Sequence, residues 1–360
     1  MPVDPRRRRR YRRAVRRLTS VFVAVLAACG PSESVRDAAM ADAALDAAPD
    51  GQVDAGERPS PGEVFDGPAR LSETGLYEDL AAGTLAAGVL PYRVRFELWS
   101  DGAEKRRWLL LPPGARIDTR DPDRWVFPVG TRAWKEFRDG ETRVETRFLH
   151  KVAEDRWENV AYVWRLDGSD ADARPEGVRD ALGTALDVPD TNGCFDCHRG
   201  VDGLIGVSAI QLATGEADEL LARLEADDRL SAPIAPRPSV PGSPLEQAAL
   251  GYLHANCSHC HGEGHPLSAA RSLRMRIPLG LTDPLDAPAL RTTAGELMHH
   301  TVDGTTIGVV PGDALQSQLY VRMQHRGDGW EMPQRGSERV DEAGSELIRR
   351  FLDGLPSPLP

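Results

Sequence analysis

Two pentapeptides in this chain share one pattern, Cys194-Phe195-Asp196-Cys197-His198 and Cys257-Ser258-His259-Cys260-His261. The C-x-x-C-H spacing suits covalent haem attachment, because two thiols separated by two residues span the ring edge and add to both vinyl groups. The following His then lies under the iron and supplies its proximal nitrogen. Paired Cys-x-x-Cys knuckles also hold zinc, and paired thiols also form disulfides. Neither alternative accounts for a His directly after both pairs. The spacing therefore predicts two haems, one on Cys194 and Cys197 with His198 on its iron, the other on Cys257 and Cys260 with His261.

A sixth ligand is legible for the second haem only. Met332-Pro333 falls shortly before the last helical pattern, where Pro imposes an extended entry that would present the thioether sulfur to iron. Met332 is thus the expected distal ligand, with Met323 as packing in the same pocket. No Met lies between His198 and Leu245. The distal ligand of the first haem must come from Met275, Met298, His299, His300, His254 or His150, or be absent. His259, His265 and His325 are expected to be solvated.

These motifs need helices to carry them. Leu245, Ala248, Ala249, Tyr252 and Leu253 recur at helical spacing and run straight into Cys257. Leu347, Ile348, Phe351 and Leu352 outline a second amphipathic helix, started near Asp341 and stopped by Gly354 and Pro356. Two such helices crossing beside a haem edge resemble a class I cytochrome c. Around the first motif the pattern is thinner, with Leu220, Leu221 and Leu224 on one helical face and a Pro-rich break from Pro233 to Pro244.

The preceding zone differs in composition. Six of the seven Trp lie between Trp99 and Trp164. Runs such as Arg107 to Leu111, Trp125 to Phe127, Arg143 to Leu149 and Val160 to Trp164 are punctuated by Pro113-Gly114, Asp139-Gly140 and Asp167-Gly168, the mark of antiparallel strands. Thr74 to Ala82 is expected as a short helix, and Leu98 to Lys105 as a solvated turn packed by Trp99.

The chain opens with nine Arg by position 17, then an apolar run from Leu18 to Ala28 that is too short to span a bilayer as a stable helix. This is the pattern of a secretory signal. Its ending, Leu26-Ala27-Ala28-Cys29-Gly30, resembles a bacterial lipobox and implies cleavage before Cys29 with lipid on that thiol. The five Cys are then all assigned, one to lipid and four to haem. From Pro31 to Pro61 the composition is that of a disordered tether. Without residues 1–28 the chain carries 35 basic and 54 acidic side chains, a net charge of −19 against −11 for the whole. Such a field argues against nucleic acid as a partner and for solubility or a basic redox protein.

The expected organisation is a signal peptide over 1–28, a tether over 29–62, a Trp-rich β domain over 63–187, a first haem segment over 188–243 and a cytochrome c-like second haem domain over 244–360. The expected fold class is multidomain, an all-β sandwich-like domain followed by a mainly α-helical di-haem region.

The chain also resembles a family of bacterial di-haem c-type cytochromes, many of them lipoproteins of uncharacterised function. The resemblance rests on Leu71-Ser72-Glu73-Thr74-Gly75-Leu76-Tyr77, Leu98 to Lys105, Phe127 to Thr131, Glu145-Thr146-Arg147, both C-x-x-C-H motifs, Tyr252 to Cys257, Pro311-Gly312-Asp313 and Met332-Pro333. It implies two covalent haems and electron transfer between redox partners on the periplasmic side of a membrane, the outer membrane by preference because Gly30, not Asp, follows Cys29. A peroxidase-like enzyme with an open coordination site on the first haem is the alternative.

Overall fold

The computed structural model describes residues 66–198, 203–265 and 272–359. All of them lie in one compact unit, Ala47–Pro360. The signal segment, the tether and Cys29 lie outside the described residues.

The first half is built on a sheet. A hairpin of β1 (Tyr77–Asp79) and β2 (Thr84–Leu85) precedes six strands, β3 (Leu90–Tyr92), β4 (Glu104–Leu110), β5 (Arg132–Asp139), β6 (Thr142–Ala153), β7 (Arg156–Trp164) and β8 (Ala171–Ala173). These six pair in chain order, antiparallel throughout. The register sets Trp108 opposite Trp134, Trp134 opposite Phe148 and Phe148 opposite Val160. Because side chains alternate across a strand, these residues share one face. They bury it with Leu71, Leu76 and Val89. The expected helix over Thr74 to Ala82 is instead a turn and the short strand β1, and Trp125 to Phe127 makes only an isolated bridge, Asp118 to Val126.

Seven helices of the described residues follow: α1 (Thr191–Cys197), α2 (Ala209–Leu212), α3 (Leu220–Ala226), α4 (Pro244–Cys257), α5 (Pro288–Arg291), α6 (Gln318–Met323) and α7 (Glu342–Asp353). A hairpin of β9 (Leu297–Val302) and β10 (Thr305–Ile307) lies between α5 and α6. The longer helices have the caps that their sequences advertise. Ser243 and Glu246 close a capping box on α4 with Pro244 in its first turn, and the Asp341 carboxylate accepts from the Gly344 amide at 2.8 Å to start α7. Ala249, Leu250 and Leu253 of α4 pack against Ile348, Phe351 and Leu352 of α7. Gly344 permits this crossing, since a Cβ there would collide with the Tyr252 ring.

The expected fold class is therefore corrected. There is no β-sandwich among the described residues; the fold is mixed α and β, a single six-stranded sheet with helices in the C-terminal half. The second face of the sheet, with Leu109, Ala133 and Leu149, is covered by Val207, Leu212, Leu220, Leu221 and Leu224. A half-buried sheet needs an apolar cover, and helices satisfy that need as well as a second sheet would. The C-terminal half is not mainly helical either, because only α4 and α7 exceed two turns and a hairpin and long loops join the rest.

Candidate functional site

Both pentapeptides lie at helix ends. Asp190 caps α1, its carboxylate accepting from the Gly193 amide at 2.6 Å, and the helix delivers Cys194 and Cys197 before ending at His198. Nδ1–H of His198 donates to the Gly203 carbonyl at 2.5 Å. That bond fixes the tautomer and leaves Nε2 with a free lone pair, the arrangement typical of a metal-ligating His. Burial pushes the ring down to about 4, so it is neutral at pH 7. Cys257 closes α4, and the turn after it returns His261, whose amide donates to the Cys257 carbonyl at 2.8 Å.

Two adjoining apolar cavities meet at the second motif. Both are lined by Asn256, Cys257, His261, Met332 and Pro333. One continues past Cys260 to His265 and Arg335, the other to Met275, Met298 and Met323. The structure thus brings Met332 to the cavities of His261. A strap holds this arrangement. The Asn256 side chain accepts from the Trp99 amide at 2.7 Å and donates to the Glu97 carbonyl at 3.2 Å. Trp99 Nε1–H donates to the Arg339 carbonyl at 3.1 Å, and the Asp101 carboxylate accepts from the Glu338 and Arg339 amides. Leu98 to Lys105, expected as a solvated turn, in fact ties the helix of Cys257 to the segment just after Met332.

The first motif faces a third cavity, in which Cys197 and His198 are joined by Trp125 and Phe127 from the β half, by His254 from the helix that carries the second motif and by Arg276 from beyond that motif. Trp125 Nε1 is buried there with no hydrogen-bond partner among the described residues, a donor left for an acceptor on a bound group. Of the six distal candidates only His254 lines this cavity. The Ile277 amide donates to His254 Nδ1 at 3.1 Å, so in the neutral ring the proton sits on Nε2, the nitrogen that would have to coordinate. Burial, with Arg276 adding to it, pushes that imidazole down to about 3. Met275 and Met298 belong to the other motif's cavity, His150 stacks on Phe148, His300 lies against Trp330, and His299 is exposed.

The two motifs also touch. Ligand atoms of Cys197, His259 and Cys260 lie within 4.8 Å of one another. The Cys260 thiol donates to Cys197, and that bond, with His259 beside it, holds the Cys197 thiol well below its usual range and raises Cys260. His259 lines the cavities of both motifs. The expectation of solvated histidines is thus overturned three times. His259 has a buried Nδ1, His265 is buried with Nε2 at 3.0 Å from the Asp196 carbonyl, and His325 bridges Asp303 and Asp328.

The neighbouring sheet face carries cations that sequence reading missed. Register places Arg107 opposite Lys135 and Lys135 opposite Arg147. Arg147 is paired with Glu145 at 2.6 Å and Arg107 with Glu97 at 2.5 Å. Lys135 has its ammonium over the Phe137 ring at 4.9 Å, and burial together with Arg107, Arg147 and Lys105 drives it well below its usual value. The strand alternation carried this signal, but only the pairing register collects these residues from separate strands.

Comparison of the chain with protein-family models, with curated proteins and with solved structures finds no match in any of the three. The residues of both motifs fit a covalently held haem by their own chemistry. Each offers two free thiols and a following His beside an apolar or mixed cavity, and one has a thioether across that cavity.

Proposed function

We propose that this chain is a di-haem c-type cytochrome that passes electrons between redox partners outside the cytoplasm. The carrying observation is that His261 and Met332, far apart in sequence, line the same two cavities that meet at Cys257. Each haem, once attached, supplies an iron that takes up and releases one electron. Cys257 and Cys260 would hold one ring, with His261 and Met332 as the residues that would ligate its iron, a pair that raises the reduction potential. Cys194 and Cys197 would hold the other, with His198 kept in the ligating tautomer by Gly203. The contact between Cys197 and Cys260 puts the two attachment points side by side, which supports exchange between the haems. The acidic surface and the lipobox-like Cys29 support a basic protein partner and a lipid-anchored position on the periplasmic side.

A second reading has one observation behind it. His254 lines the cavity of His198 with its Nδ1 lone pair engaged by the Ile277 amide and its proton on Nε2, and no other distal candidate lines that cavity. This favours a peroxidase-like enzyme with an open site on the first haem.

Protein matured in a host that attaches c-type haem decides between them. Electron transfer predicts two haems by pyridine haemochrome and no peroxide-dependent turnover. High-spin ferric signal from one haem, with rapid peroxide turnover, would transfer the case to the enzyme. Absence of covalent haem would remove both.

A further inference from the structure

The contact between the motifs is itself a site. Cys197 comes from α1, while His259 and Cys260 come from the turn after α4, so two pentapeptides distant in sequence supply one cluster. Their ligand atoms lie within 4.8 Å of one another. A tetrahedral zinc with bonds of about 2.3 Å to sulfur and about 2.0 Å to nitrogen sets neighbouring ligand atoms about 3.5 to 3.8 Å apart. The cluster therefore needs a contraction of at most about 1.3 Å, which side-chain torsions supply. The thiols are free, and the His259 Nδ1 is buried without a partner among the described residues. The fourth position opens on the cavity that Asp196, His261 and His265 also line, so water can complete the shell.

We propose that, in chains not yet carrying haem, Cys197, His259 and Cys260 bind one zinc ion across the two motifs. Binding forms two zinc–thiolate bonds and one zinc–imidazole bond and releases to solvent the proton that the Cys260 thiol donates to Cys197; it involves no change of oxidation state. The same sulfurs cannot be thiolate ligands and haem thioethers at once. Zinc and haem thus exclude each other on this chain, and zinc in the export compartment would delay attachment at both motifs, since it takes one cysteine from each. The inference builds on the haem reading only for that consequence; the site itself stands on the three side chains.

The test uses the full chain produced without haem attachment, held reduced by a phosphine and titrated with Co2+ as a spectroscopic stand-in for zinc. The expected result is one equivalent bound, with near-ultraviolet thiolate-to-cobalt absorption and the strong visible bands of tetrahedral cobalt, both removed by one equivalent of zinc. Cys197→Ser and Cys260→Ser each weaken binding by more than about 10-fold, while Cys194→Ser and Cys257→Ser leave it unchanged. His259→Gln keeps both thiols and shifts the visible bands, which guards against variants that fail only by misfolding. No tetrahedral spectrum would overturn the proposal. So would equal losses in Cys194→Ser and Cys197→Ser, which mean that each motif chelates by itself. The haem reading is decided on the separately matured protein, so either can fail alone.

Discussion

The two motifs are alike in sequence and unlike in surroundings. The second is enclosed by chain that follows it. Met275, Met323 and Met332 wall its cavities, and α7 packs on the helix that carries it. The first has one wall from the chain that follows it, Gly203 to Ser208, and borrows the others, with Trp125 and Phe127 from the β half, His254 from the helix that carries the second motif and Arg276 from beyond that motif. A site enclosed by its own segment can be furnished with a distal ligand at a fixed distance along the chain. A site partly enclosed by distant elements takes on that side whatever those elements present, and here they present donors.

The sharpest way to break this contrast is to remove the candidate distal group from each side. Met332→Ala should cost the second haem its strong-field ligand and lower that haem's potential on the order of 0.25 V, within the ~0.8 V that axial ligands span. His254→Ala should leave the spin state of the first haem unchanged, because Nδ1 is engaged by Ile277 and Nε2 carries the proton. Potentiometry and paramagnetic resonance on both variants check the pair. A first haem that turns high-spin in His254→Ala would abolish the distinction between the sites.

Acid should also find the two regions unequal. The unfolded chain protonates an imidazole near its ordinary ~6.5, whereas His254 in the fold takes a proton only near 3. Between these values the unfolded state binds more protons, so this stabilising contribution is complete above about 6.5 and is lost as pH falls. The slope is at most about 1.4 kcal/mol per pH unit, levelling off near pH 3. Denaturant titrations between pH 6.5 and 4 should show that slope reduced in His254→Asn, whose amide oxygen can still accept from Ile277. An unchanged slope would move the acid sensitivity elsewhere.

How much of this was legible follows the same division. The helix into Cys257 shows in the spacing of Leu245, Ala249 and Leu253, and the last helix shows in Asp341, Ile348, Phe351 and Gly354. Both rest on local periodicity and caps, which a sequence displays directly. The turns at Gly140 and Gly168 were equally plain. What covers the second face of the sheet was not, because alternation marks a strand as half-buried without saying what buries it. Nor was the meeting of Cys197 with Cys260, which depends on how α1 and α4 dock. The strap from Asp101 to Arg339 reads locally as a solvated turn, since its partners lie over two hundred residues away.

That strap offers a milder test. Asp101 accepts from two backbone amides and holds φ at +53°, a conformation that a short polar side chain tolerates better than Ala. Asp101→Ala should destabilise the fold by about 1–2 kcal/mol. Its effect should fall on the second site, as faster hydrogen exchange around Glu338 and a weaker Met332 ligation signal, with the first haem unaltered. Equal loosening at Cys194 would mean that the two sites are not separately built.

The smallest expected effect comes from the caps of the two motif helices. Asp190 and Ser243 each accept from a backbone amide in the first turn, and replacing such a cap by Ala costs about 1 kcal/mol. The consequences should differ because α1 has 7 residues and α4 has 14. In α1 the cap sits within four residues of Cys194, so fraying of the first turn reaches the first thiol at once. In α4 more than three turns, packed on α7, separate the cap from Cys257. Asp190→Ala should therefore lower protection of the Cys194 and Cys197 amides about 5-fold, the equivalent of ~1 kcal/mol, whereas Ser243→Ala should leave the Cys257 amide unchanged and loosen only the start of α4. Exchange measured by mass spectrometry on both variants resolves this. Unchanged protection of the Cys194 and Cys197 amides in Asp190→Ala would mean that α1, like α4, is held by packing over its whole length and that the first site does not depend on its cap.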